Sequence, residues 1–319
     1  MGNFGLIKKA LTEATEKYKA KTQGISIKKK EKEIPEDEIV VTVENFFKCT
    51  QTNGLGKVEP WLHSDNMDVG GGVISVEDID RIRDFPNARN VTISGLHQDT
   101  FEYFIKTYGG QFKAIFFYKN KQVHDWSLLS TLPDLEFIHW FFNQRIEKFW
   151  DMSQNTALQG ISIEDFSKLK DISGVEKAPN LKYFDIGNAV WSTTEIETLA
   201  PLRTTGIENL MFSGKTVTDK DFSFVKDMKK LRILDVSTSL LTTEQFAWIA
   251  ANCPSLEAGS VGPVRIRECG DDTTIYPYGR GKRSFKLQGN EKRLKNVEDA
   301  FWSLVAQMKD VPYPFSNEP

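Results

Sequence analysis

Cysteine is scarce in this chain, which excludes several classes of protein. The 319 residues include three cysteines, Cys49, Cys253 and Cys269, and no two of them form a CxxC pair. An odd and sparse set of this kind disfavours a disulfide framework and a structural zinc site. We therefore expect free thiols, no bound metal and a reducing, cytoplasmic location.

Long apolar runs and runs of one charge are also missing. No stretch approaches the ~18 consecutive apolar residues of a membrane-spanning helix, and the start "MGNFGLIKKA" lacks the apolar core of a secretory signal. The formal net charge is −3, without a basic tail that would indicate a nucleic-acid partner. Membrane contact is not expected either, although an amphipathic basic face within residues 1–20 leaves membrane-surface recruitment open as an alternative.

Catalytic and cofactor-binding motifs are absent as well. The sequence contains no HExxH, no G-x-S-x-G and no G-x-x-x-x-G-K-[ST]. We therefore expect no enzyme activity and no cofactor. One alternative stays open, because Trp61, His63, Asp65 and the glycine-rich stretch that begins at Asp68 could house a small-ligand or enzymatic site.

What the chain does contain is a repeat. Apolar positions spaced as L-x-x-L-x-L recur eight times, with steps of 24, 23, 23, 23, 26, 24 and 25 residues. Two examples are "LEFIHWFFN" from Leu135 and "LRILDVSTS" from Leu231. The units begin at residues 88, 112, 135, 158, 181, 207, 231 and 256. A period of 20–29 residues with this motif is typical of leucine-rich repeats.

The repeat predicts the fold. Each unit supplies a short strand, and alternate side chains of that strand point inward, as Ile138 and Trp140 do in one unit. Stacked units bury these side chains together in a parallel sheet. We therefore expect an α/β leucine-rich repeat solenoid, or horseshoe, of about eight repeats. Its sheet would be concave, and short helices or 3₁₀ turns would line its convex side.

The chain resembles bacterial cytoplasmic proteins with a leucine-rich repeat domain. The segment that carries this resemblance, besides the repeats, is "LTTEQFAWIA" at residues 241–250. The capping box formed by Thr242 and Gln245 predicts a helix there. The resemblance implies a binding scaffold and brings no catalytic residues with it.

Four regions follow from these patterns. The sequence predicts an amphipathic helix and a flexible linker in residues 1–37. It predicts an N-terminal cap in residues 38–87. Within the cap, "EIVVTVENFFKCTQ" predicts a strand and "VEDIDRIRDFPN" a helix. Residues 88–262 hold the repeats, and residues 263–319 form a C-terminal cap of short strands and an amphipathic helix.

The concave face is the predicted binding site. Aromatic side chains on neighbouring strands would form one patch, and Gly160 and Ser162 would leave a hollow beside it for an apolar anchor. Acidic and polar positions would follow. The candidate residues are Phe116, Tyr118, Phe137, His139, Phe141, Glu164, Tyr183, Asp185 and Asp235.

We expect a protein partner on this face, with an inhibitor- or immunity-like role as one form of the function. The alternative is that the N-terminal segment of the chain itself covers the patch.

Overall fold

The computed structural model describes residues 40–50, 58–66, 72–187, 195–214, 216–270 and 272–315. It divides into two compact units, residues 34–224 and residues 225–319. The helix and linker predicted in residues 1–37 lie outside the described residues, as does most of the glycine-rich stretch after Asp68.

Short strands dominate both units. The strands are β1 (Trp61–Leu62), β2 (Asn90–Ser94), β3 (Ala114–Tyr118), β4 (Phe137–Asn143), β5 (Gly160–Phe166), β6 (Tyr183–Gly187), β7 (Glu195–Ile196), β8 (Asn209–Phe212), β9 (Thr216–Val217), β10 (Ile233–Val236), β11 (Ala258–Gly259), β12 (Val264–Cys269), β13 (Asp272–Pro277) and β14 (Phe285–Lys286). The α-helices are α1 (Val43–Thr50), α2 (Val76–Asp80), α3 (Gln98–Tyr108), α4 (Thr243–Asn252) and α5 (Glu291–Gln307).

Nine of these strands are parallel repeat strands, seven in one unit and two in the other. In residues 34–224 the order is β1-β2-β3-β4-β5-β6-β8, and in residues 225–319 β10 pairs with β11. The pairing keeps the repeat register, so that Ile115, Ile138 and Ile161 stand side by side. The fold is therefore the predicted α/β leucine-rich repeat solenoid, with β1 as an additional strand that the repeat pattern did not reveal.

The inward side chains form the core. Trp140 is 0% exposed. It stacks on Phe117 with ring centroids 4.0 Å apart and meets Trp126 edge-on at 5.4 Å. The last repeat departs from the apolar pattern, because Gly259 occupies the inward position that Leu234 has on the preceding strand.

The connections between the strands pack on the other side. The predicted short turns are 3₁₀ helices at Ser127–Thr131, Val175–Lys177, Ala200–Thr204 and Ser223–Asp227. The first repeat instead carries the full helix α3, whose Phe101 and Phe104 are buried.

Buried asparagines connect successive repeats. The side-chain amide of Asn143 donates to the carbonyl oxygens of Asn120 and Val123, both at 2.9 Å, and its oxygen accepts from two backbone N–H groups of the following turn. One repeat later Phe166 takes this position and stacks on Trp126 at 5.5 Å. Asn155 lies outside the motif, yet its side-chain nitrogen donates to the carbonyl oxygen of Leu129 at 2.7 Å. The row of bridging asparagines at this repeat position is therefore short. Where it ends, the stack of Phe166 on Trp126 continues the core.

The N-terminal cap differs from the prediction. The expected helix from Val76 is present as α2 and is followed by a 3₁₀ turn. The strand predicted at residues 38–51 is wrong, because residues 43–50 form helix α1. The Asn45 side chain accepts from the backbone N–H of Thr42 at 2.7 Å, and Phe46 is fully buried. Residues 40–43 are of types that favour a strand. The hydrogen bond of Asn45 at the helix start and the burial of Phe46 nevertheless stabilise a helix here.

The unit of residues 225–319 has the predicted cap elements. Strands β12, β13 and β14 form an antiparallel sheet. Helix α4 begins at the capping box of Thr242 and Gln245. Asn252 of α4 donates to the carbonyl oxygen of Met308 at 2.8 Å, and Trp248 donates to that of Val311 at 2.8 Å. The C-terminal helix therefore ends against α4.

We predict that Trp140→Ala lowers the free energy of unfolding by about 3–5 kcal/mol, because it removes a large buried ring. Trp140→Phe should cost clearly less, since it keeps a ring and removes an indole N–H that has no hydrogen-bond partner in the described part of the chain. Urea unfolding of both variants, with Gln144→Ala as an exposed control, checks the register. Equal losses for Trp140→Ala and Gln144→Ala would show that Trp140 is not in the core.

Candidate functional site

The strand register arranges the outward side chains of the sheet in three rows. The first row is Asn90, Ala114, Phe137, Gly160, Tyr183 and Asn209. The second row is Thr92, Phe116, His139, Ser162, Asp185 and Met211. The third row is Ser94, Tyr118, Phe141, Glu164 and Gly187. Eight of the nine candidate residues lie in these rows, and Asp235 lies in the other unit.

Helix α1 covers part of the first and second rows. The ring of Phe46 has its centroid 5.1 Å from that of Phe137, 5.3 Å from that of Tyr183 and 6.3 Å from that of Phe116. Val41 and Val58 complete the same buried cluster. The chain therefore supplies its own apolar cover for these rings.

Gly160 makes room for this cover. A Cβ atom at position 160 would lie 2.7 Å from Cδ1 of Phe137 and 2.9 Å from Cδ1 of Phe46. Real Cβ contacts do not come so close, so a side chain here would push the rings apart. The predicted hollow beside the patch is present, and its occupant is Phe46 of the same chain.

The expected exposure of the patch is wrong for six candidate residues, although their outward direction is right. The buried residues are Phe116, Phe137, His139, Phe141, Tyr183 and Asp185. Coverage by the N-terminal segment, which the sequence left open as the alternative, is what the structure shows for the three rings around Phe46. Without this cover several large aromatic rings would be exposed to water, which is unfavourable in free energy. Burial under one helix removes this unfavourable exposure.

His139 is the polar member of the covered region. It is 6% exposed, and its Nδ1 atom has no hydrogen-bond partner in the described ranges. Burial lowers the pKa of His139 to about 4, because the charged imidazolium would lose its hydration. The side chain is therefore neutral at pH 7 and serves as part of the buried layer.

The third row is less covered than the other two. Tyr118 is half-buried, and its ring stacks on that of Phe141, with centroids 5.4 Å apart and planes within 10°. Nζ of Lys119 lies 5.1 Å from the Tyr118 ring centroid, and Trp61 meets the same ring edge-on at 6.1 Å. Two other rings and one ammonium group thus surround the Tyr118 ring.

A residue with a left-handed backbone follows the third row in three successive strands. Lys119, Phe142 and Asp165 directly follow third-row residues and have φ values of 53°, 63° and 58°. Non-glycine residues seldom adopt this left-handed region. The left-handed residue therefore recurs at the same position of three successive repeats, and on β4 and β5 the pairing resumes with Asn143 and Phe166.

Glu164 continues the row on β5 and is half-buried. Removal from water raises the pKa of Glu164 to about 7, and the nearby charge of Asp165 adds to the effect. In the described part of the chain no residue donates a hydrogen bond or forms an ion pair with its carboxylate. Among the described residues, this carboxyl group at the sheet therefore has no counter-ion.

Asp235, the last candidate, is engaged within the unit of residues 225–319. Burial raises the pKa of its carboxyl group, and the positive charge of Arg265 opposes that shift. The Arg265 guanidinium hydrogen-bonds Asp235 and donates to the carbonyl oxygen of Val236 at 2.9 Å. Asp235 thus ties β12 to β10, a role that its position in the repeat did not reveal.

The alternative site in the N-terminal cap gains little from the geometry. Trp61 donates from Nε1 to Oγ of Ser94 at 2.8 Å, and Nδ1 of His63 lies 3.0 Å from the carbonyl oxygen of Ser64. Among the residues that the structure describes, no group of three or more His, Cys, Asp or Glu side chains is placed to hold a metal ion. The same residues contain no helix both long and apolar enough to cross a membrane.

Sequence reasoning missed a cleft at the amino ends of the strands. It has a volume of about 760 Å³ and is lined by Pro60, Arg89, Lys113 and Glu136, among others. Lys113 donates to the carbonyl oxygen of Asp134 at 3.1 Å and lies 3.7 Å from the Glu136 carboxylate. The lining residues come from separate loops, so no spacing in the sequence indicated them.

We predict that Gly160→Ala displaces α1 while the repeat sheet stays folded, because the added methyl group overlaps Phe46 and Phe137. Hydrogen exchange of the α1 amides should become faster, whereas that of β4 and β5 should change little. Gly110→Ala is the matched control, since a Cβ there meets no atom within 4 Å. Unchanged exchange in α1 would contradict the packing described for Phe46.

We predict that His139 makes the fold less stable in acid. The imidazole of His139 has a pKa of 6.5 in the unfolded chain and of about 4 in the folded protein. Between these two pH values the unfolded state therefore binds a proton that the folded state does not bind. Stability should therefore fall as the pH drops from 6.5 towards 4, by up to about 1.4 kcal/mol per pH unit. Glu164 acts in the opposite sense, because its folded pKa is raised and stability falls as the pH rises from 4.5 through 7.

The check for His139 is therefore a comparison between variants. Urea unfolding at pH 5 and pH 7 gives the change in unfolding free energy for each protein. Because Glu164 contributes equally to both, that change should be less favourable to the folded state in acid for the wild type than for His139→Asn. The exposed control His124→Asn should behave as the wild type does. An equal change between pH 7 and pH 5 in the wild type and in His139→Asn would show that His139 is not buried as a neutral group.

Comparisons with known proteins add a structural likeness. No protein-family model matches the chain, and a search of curated proteins finds no match. Among solved structures, an internalin from Listeria monocytogenes str. 4b F2365 is similar at 13% identity with a TM-score of 0.42. The match covers 60% of this chain and 52% of the internalin chain, so this chain spans about half the length of that protein. The leucine-rich repeat fold rests on the parallel sheet and its register, independently of that likeness.

Proposed function

We propose that this chain is a non-enzymatic repeat scaffold that binds another protein on the side of the sheet that carries the three rows. The observation that carries the proposal is the third row, where Tyr118 and Glu164 remain partly accessible beside a region that the chain has covered itself. Aromatic residues such as Tyr118 are enriched at the centre of protein interfaces, and polar and charged groups such as Glu164 are typical of the rim.

The outer side of α1 extends this surface. Phe47 is 41% exposed although its neighbour Phe46 is fully buried. Glu44 and Lys48 lie on the same exposed side of the helix. A partner would therefore meet α1 and the third row first, and the rings around Phe46 would stabilise the surface from below.

The identity of the partner defines the biological role. An inhibitor- or immunity-like function, in which the scaffold blocks an enzyme or toxin, is one form of this proposal. The cytoplasm is the proposed location, and the thiols fit it: Cys253 is buried and Cys269 is exposed, both as free cysteines.

We predict that Phe47→Ser combined with Tyr118→Ser weakens binding of the partner, because buried aromatic anchors contribute about 2 kcal/mol or more each to an interface. The protein would be used to capture partners from its native host, and the affinity for the captured protein would then be measured. The control variant His124→Ser with Arg145→Ser changes two exposed residues in the connections between strands.

The expected result is a protein captured by the wild type and by the control variant, with a large loss of affinity in the double variant. Melting curves establish that the double variant is folded. Equal affinity for all three proteins would contradict binding through this side of the sheet.

A further inference from the structure

Strand β12 forms an open edge of the antiparallel sheet in residues 225–319. The order of that sheet is β12-β13-β14, so among the described strands β12 has a neighbour on one side and none on the other. Residues 266–269 of β12 are exposed. A strand in this position presents backbone N–H and C=O groups to any chain that can pair with it.

The register shows which backbone groups of β12 point away from β13. The N–H of Tyr278 donates to the carbonyl oxygen of Pro263 at 3.0 Å. In an antiparallel ladder, pairs that exchange hydrogen bonds alternate with pairs that do not. Counted from Pro263, the backbone groups of Arg265 and Arg267 face β13, and those of Ile266 face outward. Within the described residues, the N–H and C=O of Ile266 have no hydrogen-bond partner.

Two features of β13 agree with this alternation. Pro277, which has no N–H group, lies opposite Val264, in a pair that exchanges no hydrogen bond. On its other edge, β13 accepts at the carbonyl oxygen of Thr273 from the N–H of Leu287 at 2.9 Å, so Thr273 faces β14 rather than β12. The outward direction of the Ile266 groups therefore follows from both edges of β13.

The two faces of β12 differ in the chemistry of their side chains. Ile266 lies opposite Ile275, which in turn lies opposite Phe285 on β14. Ile275 is fully buried, whereas Ile266 is 39% exposed, so an apolar row ends at the open edge. On the other face Arg267 is exposed, and no described residue forms an ion pair or a hydrogen bond with its side chain.

We infer that β12 accepts an extended segment of a partner protein as an added strand, with an apolar side chain opposite Ile266 and an acidic side chain opposite Arg267. Neighbouring residues of a strand point to opposite faces, so the segment needs an apolar residue next to an acidic one. Backbone hydrogen bonds would satisfy the outward groups of Ile266, and the two side chains would select the sequence. This contact goes beyond the proposed function, since it lies in residues 225–319 and the rows around Phe46 lie in residues 34–224.

A second copy of the chain is a poorer occupant of this edge. In an antiparallel pair of two β12 strands, the outward backbone groups of one copy must meet those of the other. The registers that pair most of the strand then place Arg267 of one copy opposite Arg265 or Arg267 of the other. Like charges directly opposite each other destabilise a strand pair, whereas opposite charges stabilise it.

The test uses peptide probes with the full chain. The first peptide alternates valine with glutamate, so that one face of the extended peptide is apolar and the other acidic. The second peptide alternates valine with lysine. The third is the valine–glutamate peptide with methyl groups on the valine backbone nitrogens, which keeps the side chains and removes the N–H donors that would face β12. Binding is followed by the anisotropy of a fluorescent label and by hydrogen exchange of the Ile266 amide.

The expected result is saturable binding of the valine–glutamate peptide, weaker binding of the valine–lysine peptide and no binding of the methylated peptide. Hydrogen exchange of the Ile266 amide should become slower when the first peptide is bound. Arg267→Glu should weaken that peptide roughly three- to tenfold and strengthen the valine–lysine peptide. Lys230→Glu, which makes the same change of charge at an exposed position of the same unit, should leave binding unchanged.

A proline at position 266 tests the edge from the side of the protein. It removes an outward N–H and no hydrogen bond of the β12–β13 ladder, and proline is tolerated at such edge positions. Ile266→Pro should therefore abolish binding of the valine–glutamate peptide, whereas Ile266→Val should retain it. The methylated peptide tests the same hydrogen bonds on the wild-type chain and does not depend on the fold of the proline variant.

Three results would overturn the inference: no saturable binding of the valine–glutamate peptide, equal affinity for the methylated peptide, or unchanged exchange of the Ile266 amide. Lysine-containing peptide that binds as tightly as the glutamate-containing one would overturn the acidic partner. A wild-type dimer that Ile266→Pro dissociates would make a second copy the occupant and also contradict the inference. Failure of the proposed function is a separate outcome, because it is measured with the Phe47 and Tyr118 variants.

Discussion

Aromatic rings stand on both faces of the central strands, and both faces must therefore be kept from water. Inward, Trp140 stacks on Phe117 within the repeat core. Outward, Phe116 and Phe137 would lie open on the sheet if nothing covered them. Helix α1 covers these rings with the side chain of Phe46. Phe46 fits there because Gly160 has no side chain. The part of the sheet that α1 does not cover, the third row, is the part that remains accessible.

The covered and uncovered rows differ in their electrostatics for the same reason. Under the cover, burial keeps His139 neutral well below pH 6.5. In the third row, Glu164 is only half-buried and titrates near neutrality. The first group belongs to a layer that is shielded from water, whereas the second keeps partial contact with water. The part of this face that remains accessible therefore depends on how far α1 reaches over the sheet.

The sequence predicted the repeat because its information is local and recurs. Each unit repeats the same spacing, so the inward direction of Ile138, Trp140 and their counterparts follows from that spacing alone. The cover could not be predicted in this way. Residues 40–43 favour a strand, and the helix that follows depends on contacts of Phe46 with residues more than 65 positions away. The bridging role of Asn155 and the pairing of Asp235 with Arg265 likewise arise from distant contacts.

The central claim is that the chain covers its own aromatic patch, and the most direct measurement is a nuclear Overhauser spectrum of protein with isotope-labelled aromatic rings. The account predicts cross-peaks from the Phe46 ring to those of Phe137 and Tyr183, whose centroids lie 5.1 and 5.3 Å away. Cross-peaks between Phe116 and His139, 5.9 Å apart, serve as the reference within the sheet. If that reference is seen while Phe46 shows no contact with either ring, the patch is open and the account is contradicted.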